Sequence, residues 1–116
     1  MLIKYKSSYK KIAMGLLSYM PKEKEIKTLQ ETIDKYEFDE RWQLYLWKED
    51  DDIIGVIGFF EEEDGGIELC HLCVNPSFRE EGIGKKMLLA LKENIKGTLR
   101  PNKDTKEFFS SCLNNE

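Results

Sequence analysis

Apolar side chains first recur at helical spacing in Tyr9, Ile12, Ala13, Leu16, Leu17 and Met20, a stripe that predicts a helix after a short strand at Leu2 to Tyr5. Pro21 closes that helix. Ile26, Leu29, Ile33 and Tyr36 repeat the three-four spacing among charged residues, which predicts a second, amphipathic helix on the surface. From Trp42 the pattern changes. The aromatic and aliphatic run Trp42 to Trp47, the acidic turn Glu49 to Asp52 and the run Ile53 to Phe60 read as a hairpin. Gly55 and Gly58 weaken the second run as a lone strand and predict a bulge or the close approach of another group. Asp64-Gly65-Gly66 turns the chain into a third strand, Ile67 to Val74, which Asn75-Pro76-Ser77 ends. Met87, Leu88, Leu91 and Ile95 continue a helix from Ile83, with Gly97 placed to cap it. Thr98 to Arg100 suffices for a short strand, and Asp104 to Leu113 for a last helix with Phe108 and Phe109 facing inward.

These elements predict an α/β chain with a mixed, mostly antiparallel central sheet flanked by helices. A length of 116 residues suits one domain, 1–116, and no repeat, linker or low-complexity segment suggests a second. With 41% hydrophobic and 34% charged residues the chain has the balance of a globule rather than of a disordered tail. It contains neither an apolar run of about 18 residues nor the pattern of a secretion signal, so a cytoplasmic location and no membrane partner are expected. The net charge is -4, and the acid gathers in Glu49 to Asp52 and Glu61 to Asp64. No basic, aromatic-studded face is available for nucleic acid. Three cysteines, Cys70, Cys73 and Cys112, are an odd number in a chain that needs no staples, so reduced thiols are expected. Cys70-His71-Leu72-Cys73 lies on a strand, which separates the two sulfurs and argues against a metal site.

The segment richest in chemistry runs from Leu72-Cys73-Val74-Asn75-Pro76 through Arg79-Glu80-Glu81-Gly82-Ile83-Gly84 into a helix. A strand ends, the chain turns, and the first amides of the helix are left without partners at the positive end of its dipole. That arrangement suits an anion, and a pyrophosphate fits it. Gly82 and Gly84 carry no β-carbon to keep a phosphate away, while Lys85 and Lys86 add positive charge. Glycines also serve turns and close packing where no ligand binds, and that reading stays open beside the first.

The order of elements, together with Arg79, Gly82 and Gly84 as an Arg-x-x-Gly-x-Gly turn after the strand ending in Val74, resembles the GCN5-related N-acetyltransferase superfamily over nearly the whole chain. Within it, Ile12 to Ser18 and Met20-Pro21 look most like the small RibT-type proteins encoded beside riboflavin-synthesis genes. The resemblance implies acetyl-CoA, or coenzyme A, as cofactor. It implies that the backbone of Leu72, Cys73 and Val74 pairs with the pantetheine arm, and that the turn of Arg79, Glu80, Glu81, Gly82, Ile83, Gly84 and Lys85 holds the pyrophosphate. Asn102 falls where many members contact the cofactor arm. The implied activity is transfer of an acetyl group by direct attack of an amine, from a small molecule or a peptide. The alternative is a non-catalytic acyl-CoA sensor or interaction module.

Three features depart from the family's pattern. Glu80 and Glu81 put carboxylates where basic or small residues are common. Phe109 stands where a tyrosine often protonates the departing thiolate, and a phenylalanine has no proton to give, so slow transfer is expected. The chain also ends soon after its last helix, which makes the sheet C-terminally abbreviated and a homodimer a way of covering its edge. For a general base, Glu68 aligns with the carboxylate used by histone-modifying relatives, although a solvated edge glutamate would look the same in sequence. His71, the one histidine, falls on the face opposite Glu68 if the strand alternates regularly, and reads as a structural residue.

Overall fold

The structure is a computed structural model that describes residues 1–78 and 81–114. Five strands run in the order β1-β2-β3-β4-β5: β1 is Leu2–Lys4, β2 Trp42–Glu49, β3 Asp52–Glu61, β4 Ile67–Val74 and β5 Leu99–Pro101. The first four pair antiparallel with their neighbours, and β5 joins β4 in parallel. The helices are α1, Lys10–Leu17; α2, Ile26–Phe38; α3, Ile83–Asn94; and α4, Lys106–Asn114.

The sheet is apolar on both faces, and each face has its own core. On one side α1 and α2 bury Ala13, Leu16, Leu17, Leu29 and Ile33 against Leu44, Leu46, Val56 and Cys73. On the other, α3 buries Ile83, Met87, Leu88 and Leu91 against Ile54, Ile57, Phe59, Ile67, Leu69 and Val74. At about 1.5–3 kcal/mol for each large aliphatic side chain fully removed from water, these two layers hold the sheet between the helices. Both face assignments follow the helical periodicities, with two exceptions: Ile26 is 80% exposed at the start of α2, and Ile12 also points outward.

Each glycine of β3 marks a close approach. A β-carbon on Gly58 would collide with the Tyr36 phenol, and one on Gly55 would come within 2.7 Å of the Met87 sulfur. Gly97 does not cap α3, as its position suggests. The helix stops at Asn94, and Gly97 instead packs against the Gly65 carbonyl, where it joins the end of the helix to the β3–β4 turn.

Regular alternation fails in β4. Gly58 faces His71 and the next residue, Phe59, faces Leu69, so Cys70 is an extra residue in a β-bulge. On the N-terminal side of the bulge Ile67 and Leu69 point to α3, and beyond it Leu72 and Val74 do so. Glu68 and His71 therefore share the face that looks toward α2, contrary to the expectation from an unbroken strand.

Candidate active site

The pairing of β4 with β5 covers only Ile67 to Leu69. Two bonds to the Leu69 carbonyl, from the Asn102 N–H at 3.3 Å and the buried Thr105 hydroxyl at 2.8 Å, then turn the chain into α4 and away from β4. The sheet forks there. A cavity of about 810 Å³ opens beside Leu72, Cys73 and Val74, with residues from the start of α3 and from α4 in its wall.

Gly82, Ile83, Gly84 and Lys85 line that cavity. Gly82 is the residue before the helix and lies in the left-handed region, φ 76°, which a side chain resists. The helical ladder begins with the Lys86 N–H on the Gly82 carbonyl at 3.1 Å. The N–H groups of Ile83, Gly84 and Lys85 precede it, and among the described residues none has a hydrogen-bond partner. Three amide donors at the positive end of a helix thus adjoin a cavity, an arrangement that binds anions.

The two glycines do different work. Gly82 has open space where a β-carbon would stand, whereas Gly84 makes room for the Phe108 ring, which lies against its α-carbon and lines the cavity. Phe108 is 40% exposed rather than turned inward, and Phe109 is the ring that packs into the α3 core. Neither carries a hydroxyl. Glu81 is exposed and outside the cavity wall, which relieves the expected clash of carboxylate and anion at that position. Arg79, Glu80 and the Cys112 side chain lie outside the described residues. Asn102 serves the turn into α4: its Oδ1 accepts from the N–H of Asp104 at 2.9 Å and of Thr105 at 3.0 Å, and the side chain is not part of the cavity wall.

The wall facing the fork comes from the turn after α1, at Tyr19, Met20 and Pro21. Periodicity marks Met20 and Pro21 only as the end of a helix. Their place at the site is set by the two residues after them: Lys22 reaches Asp104 at 3.2 Å, and Glu23 reaches His71 Nε2 at 3.1 Å. The turn is thereby fastened on both sides of the fork.

Glu23 is buried, as are its partners. Its carboxylate accepts from the Thr32 hydroxyl at 2.8 and 2.9 Å, and the other ring nitrogen of His71 meets the Tyr36 hydroxyl at 2.5 Å. Burial alone pushes the Glu23 carboxyl up, but the bonds from His71 and Thr32 outweigh it and hold the group below the usual carboxylate range. Tyr36 is pushed well above the phenol range, chiefly by burial and then by neighbouring acidic groups. An ionised Glu23, its proton-bearing neighbours and a neutral Tyr36 satisfy one another, which is what a buried polar cluster requires. His71 is 8% exposed, with both ring nitrogens engaged.

Glu68 stands half-buried on the same face, with Oε2 3.7 Å from the Cys70 sulfur. Burial and the Glu68 carboxylate together push the Cys70 thiol up to about 12. Cys70 and Cys73 are both buried, and no disulfide joins them.

Residues 10–108 match the profile of the acetyltransferase (GNAT) family. A protein of Bacillus methanolicus described as an uncharacterized N-acetyltransferase in the lysA 3′ region is 50% identical over 113 residues, 97% of this chain and 94% of that one. A possible acetyltransferase from Clostridium difficile 630 superposes with a TM-score of 0.76 at 16% identity, covering 98% of this chain and 88% of the other. The aminoglycoside acetyltransferase AAC(6′)-Iy, solved with a bisubstrate analogue of coenzyme A and acetylneamine, gives 0.75 at 12% identity over 97% and 85% of the two chains.

Proposed function

This chain belongs to the acetyltransferase (GNAT) family, and we propose that it transfers the acetyl group of acetyl-CoA to an amine by direct attack. One observation carries the reading: the amides of Ile83, Gly84 and Lys85, without partners among the described residues, and the C-terminal half of β4 border a single cavity, whose volume of about 810 Å³ suits a ligand of cofactor size. In this reading the amides from Glu81 to Lys85 hold the pyrophosphate, with Arg79 and Glu80 completing the turn as the resemblance implies. Leu72, Cys73 and Val74 flank the pantetheine arm, and Asn102 acts on that arm only indirectly, through the turn it braces.

The thioester supplies an activated acyl carbon, and the protein's task is to hold it at the fork and to manage protons. The amine approaches from the α2 side of the sheet, where Glu68 takes its proton through a water molecule. Cationic acceptors suit an acidic chain, and flavin precursors enter the trial set through the RibT-type resemblance of Ile12 to Ser18. A cytoplasmic setting and a homodimer that covers the short β5 edge belong to the same proposal; sedimentation of the purified chain tests the dimer.

The activity is tested by following free coenzyme A, corrected for hydrolysis, with a panel of peptides, polyamines, aminoglycosides and flavin precursors. Release with one class is expected, and Glu68→Gln should lower kcat about 10²-fold or more while leaving coenzyme A binding intact. Binding without release across the whole panel would leave a non-catalytic acyl-CoA module in place of the enzyme.

A further inference from the structure

Departure of coenzyme A requires a proton for its sulfur, and neither aromatic residue at the start of α4 can give one. The described cavity wall offers five groups able to carry a proton: Tyr19, Cys73, Lys85, Ser111 and Asp104, whose carboxylate is taken up by Lys22 at 3.2 Å. Lys85 belongs to the anion end of the cavity, beside the first turn of α3. An aliphatic hydroxyl such as that of Ser111 is far too weak an acid to match a thiol. Phenols titrate near 10 and thiols near 8.5, a gap small enough for efficient proton transfer.

We propose that Tyr19 is the general acid of this acetyltransferase, its phenol giving a proton to the thiolate of coenzyme A as the carbon–sulfur bond breaks. The inference rests on the transferase reading above. It is carried by where the turn after α1 is fastened. Lys22 is bound to Asp104 at 3.2 Å and Glu23 to His71 at 3.1 Å, while the Asn102 N–H and the Thr105 hydroxyl grip the Leu69 carbonyl at the last paired residue of β4. These contacts set Tyr19, Met20 and Pro21 in the wall of the same cavity that the helix-start residues Gly82, Ile83, Gly84 and Lys85 line. A pyrophosphate at those amides, with its arm running back along Val74, Cys73 and Leu72, keeps the sulfur inside the cavity whose wall Tyr19 shares.

The step balances. The amine nitrogen bonds to the carbonyl carbon and loses a proton to Glu68 through water; the carbon–sulfur bond breaks; sulfur takes the Tyr19 proton; and the phenolate recovers a proton from solvent. The acetylated amine and free coenzyme A are the products.

The test uses the full chain and Tyr19→Phe, which keeps the ring. Wild type should bind coenzyme A about tenfold more tightly than desulfo-coenzyme A, because the hydroxyl meets the sulfur, and Tyr19→Phe should bind both equally. In turnover with acetyl-CoA and any amine found active, Tyr19→Phe should lose about 10²-fold in kcat with KM within about twofold. Equal affinity of wild type for the two ligands, or a variant with unchanged kcat, overturns the assignment while the transferase reading stands. Failure of wild type to bind either ligand removes the cofactor site and Tyr19's role with it.

Discussion

Gly58 is small because Tyr36 reaches across the sheet to His71, and the space for its phenol is the space of the missing β-carbon. Gly58→Ala should therefore destabilise the protein by about 1–3 kcal/mol in denaturant titration, as overpacking of a rigid core does. A stability equal to wild type would show that the network moves freely. Cys70 adds a dependence on alkali. Its thiol is raised from an ordinary 9 to about 12 in the folded protein, so the protonated form is favoured by folding. The associated stability is complete below pH 9 and disappears as pH rises through about 12. Between those limits the melting temperature should fall less steeply in Cys70→Ala than in wild type. Equal slopes would assign the alkaline loss to other groups, Tyr36 first, whose pKa is also raised. Little of this cluster is legible from residue types: Gly58 announces a close neighbour, but nothing in the spacing of Glu23, Tyr36 and His71 says that they meet.

Among the elements, periodicity locates the four α-helices and the long strands β2, β3 and β4, because each buries one stripe or face against a neighbour. It fails where the backbone departs from regularity. The extra residue at Cys70 reverses the facing of β4, so Glu68 and His71 come to one side, and no local signal distinguishes that bulge from a continuous strand. Gly97 looks like a helix cap because glycine commonly is one, yet here it is small for the sake of the Gly65 carbonyl. The turn before α3 is the opposite case, since its chemistry is local: a strand end, a glycine and a helix start suffice to present amides. Gly82→Ala forces a β-carbon into the left-handed region and should cost about 1 kcal/mol or more of stability. It should also weaken coenzyme A at least tenfold in calorimetric titration, because the same backbone geometry aims the amides. Undiminished affinity would mean that the turn does not hold the anion.

At the scale of the molecule, the mixed, mostly antiparallel sheet flanked by helices is what the order of elements predicts, and the resemblance to the family rests on that order together with Arg79, Gly82 and Gly84. The cavity wall at Tyr19, Met20 and Pro21 could not be read this way. It is assembled by contacts distant in sequence, Lys22 with Asp104 and Glu23 with His71, between segments with no motif of their own. The proposed acetyl transfer at this fork depends on one thing, that the first amides of α3 receive a diphosphate. Amide chemical shifts recorded while coenzyme A is added to labelled protein test it directly. The resonances of Ile83, Gly84 and Lys85 should move furthest, with those of Leu72 to Val74 close behind. If they stay in place at millimolar coenzyme A, or if the shifts gather elsewhere on the chain, the cofactor does not bind at the start of α3.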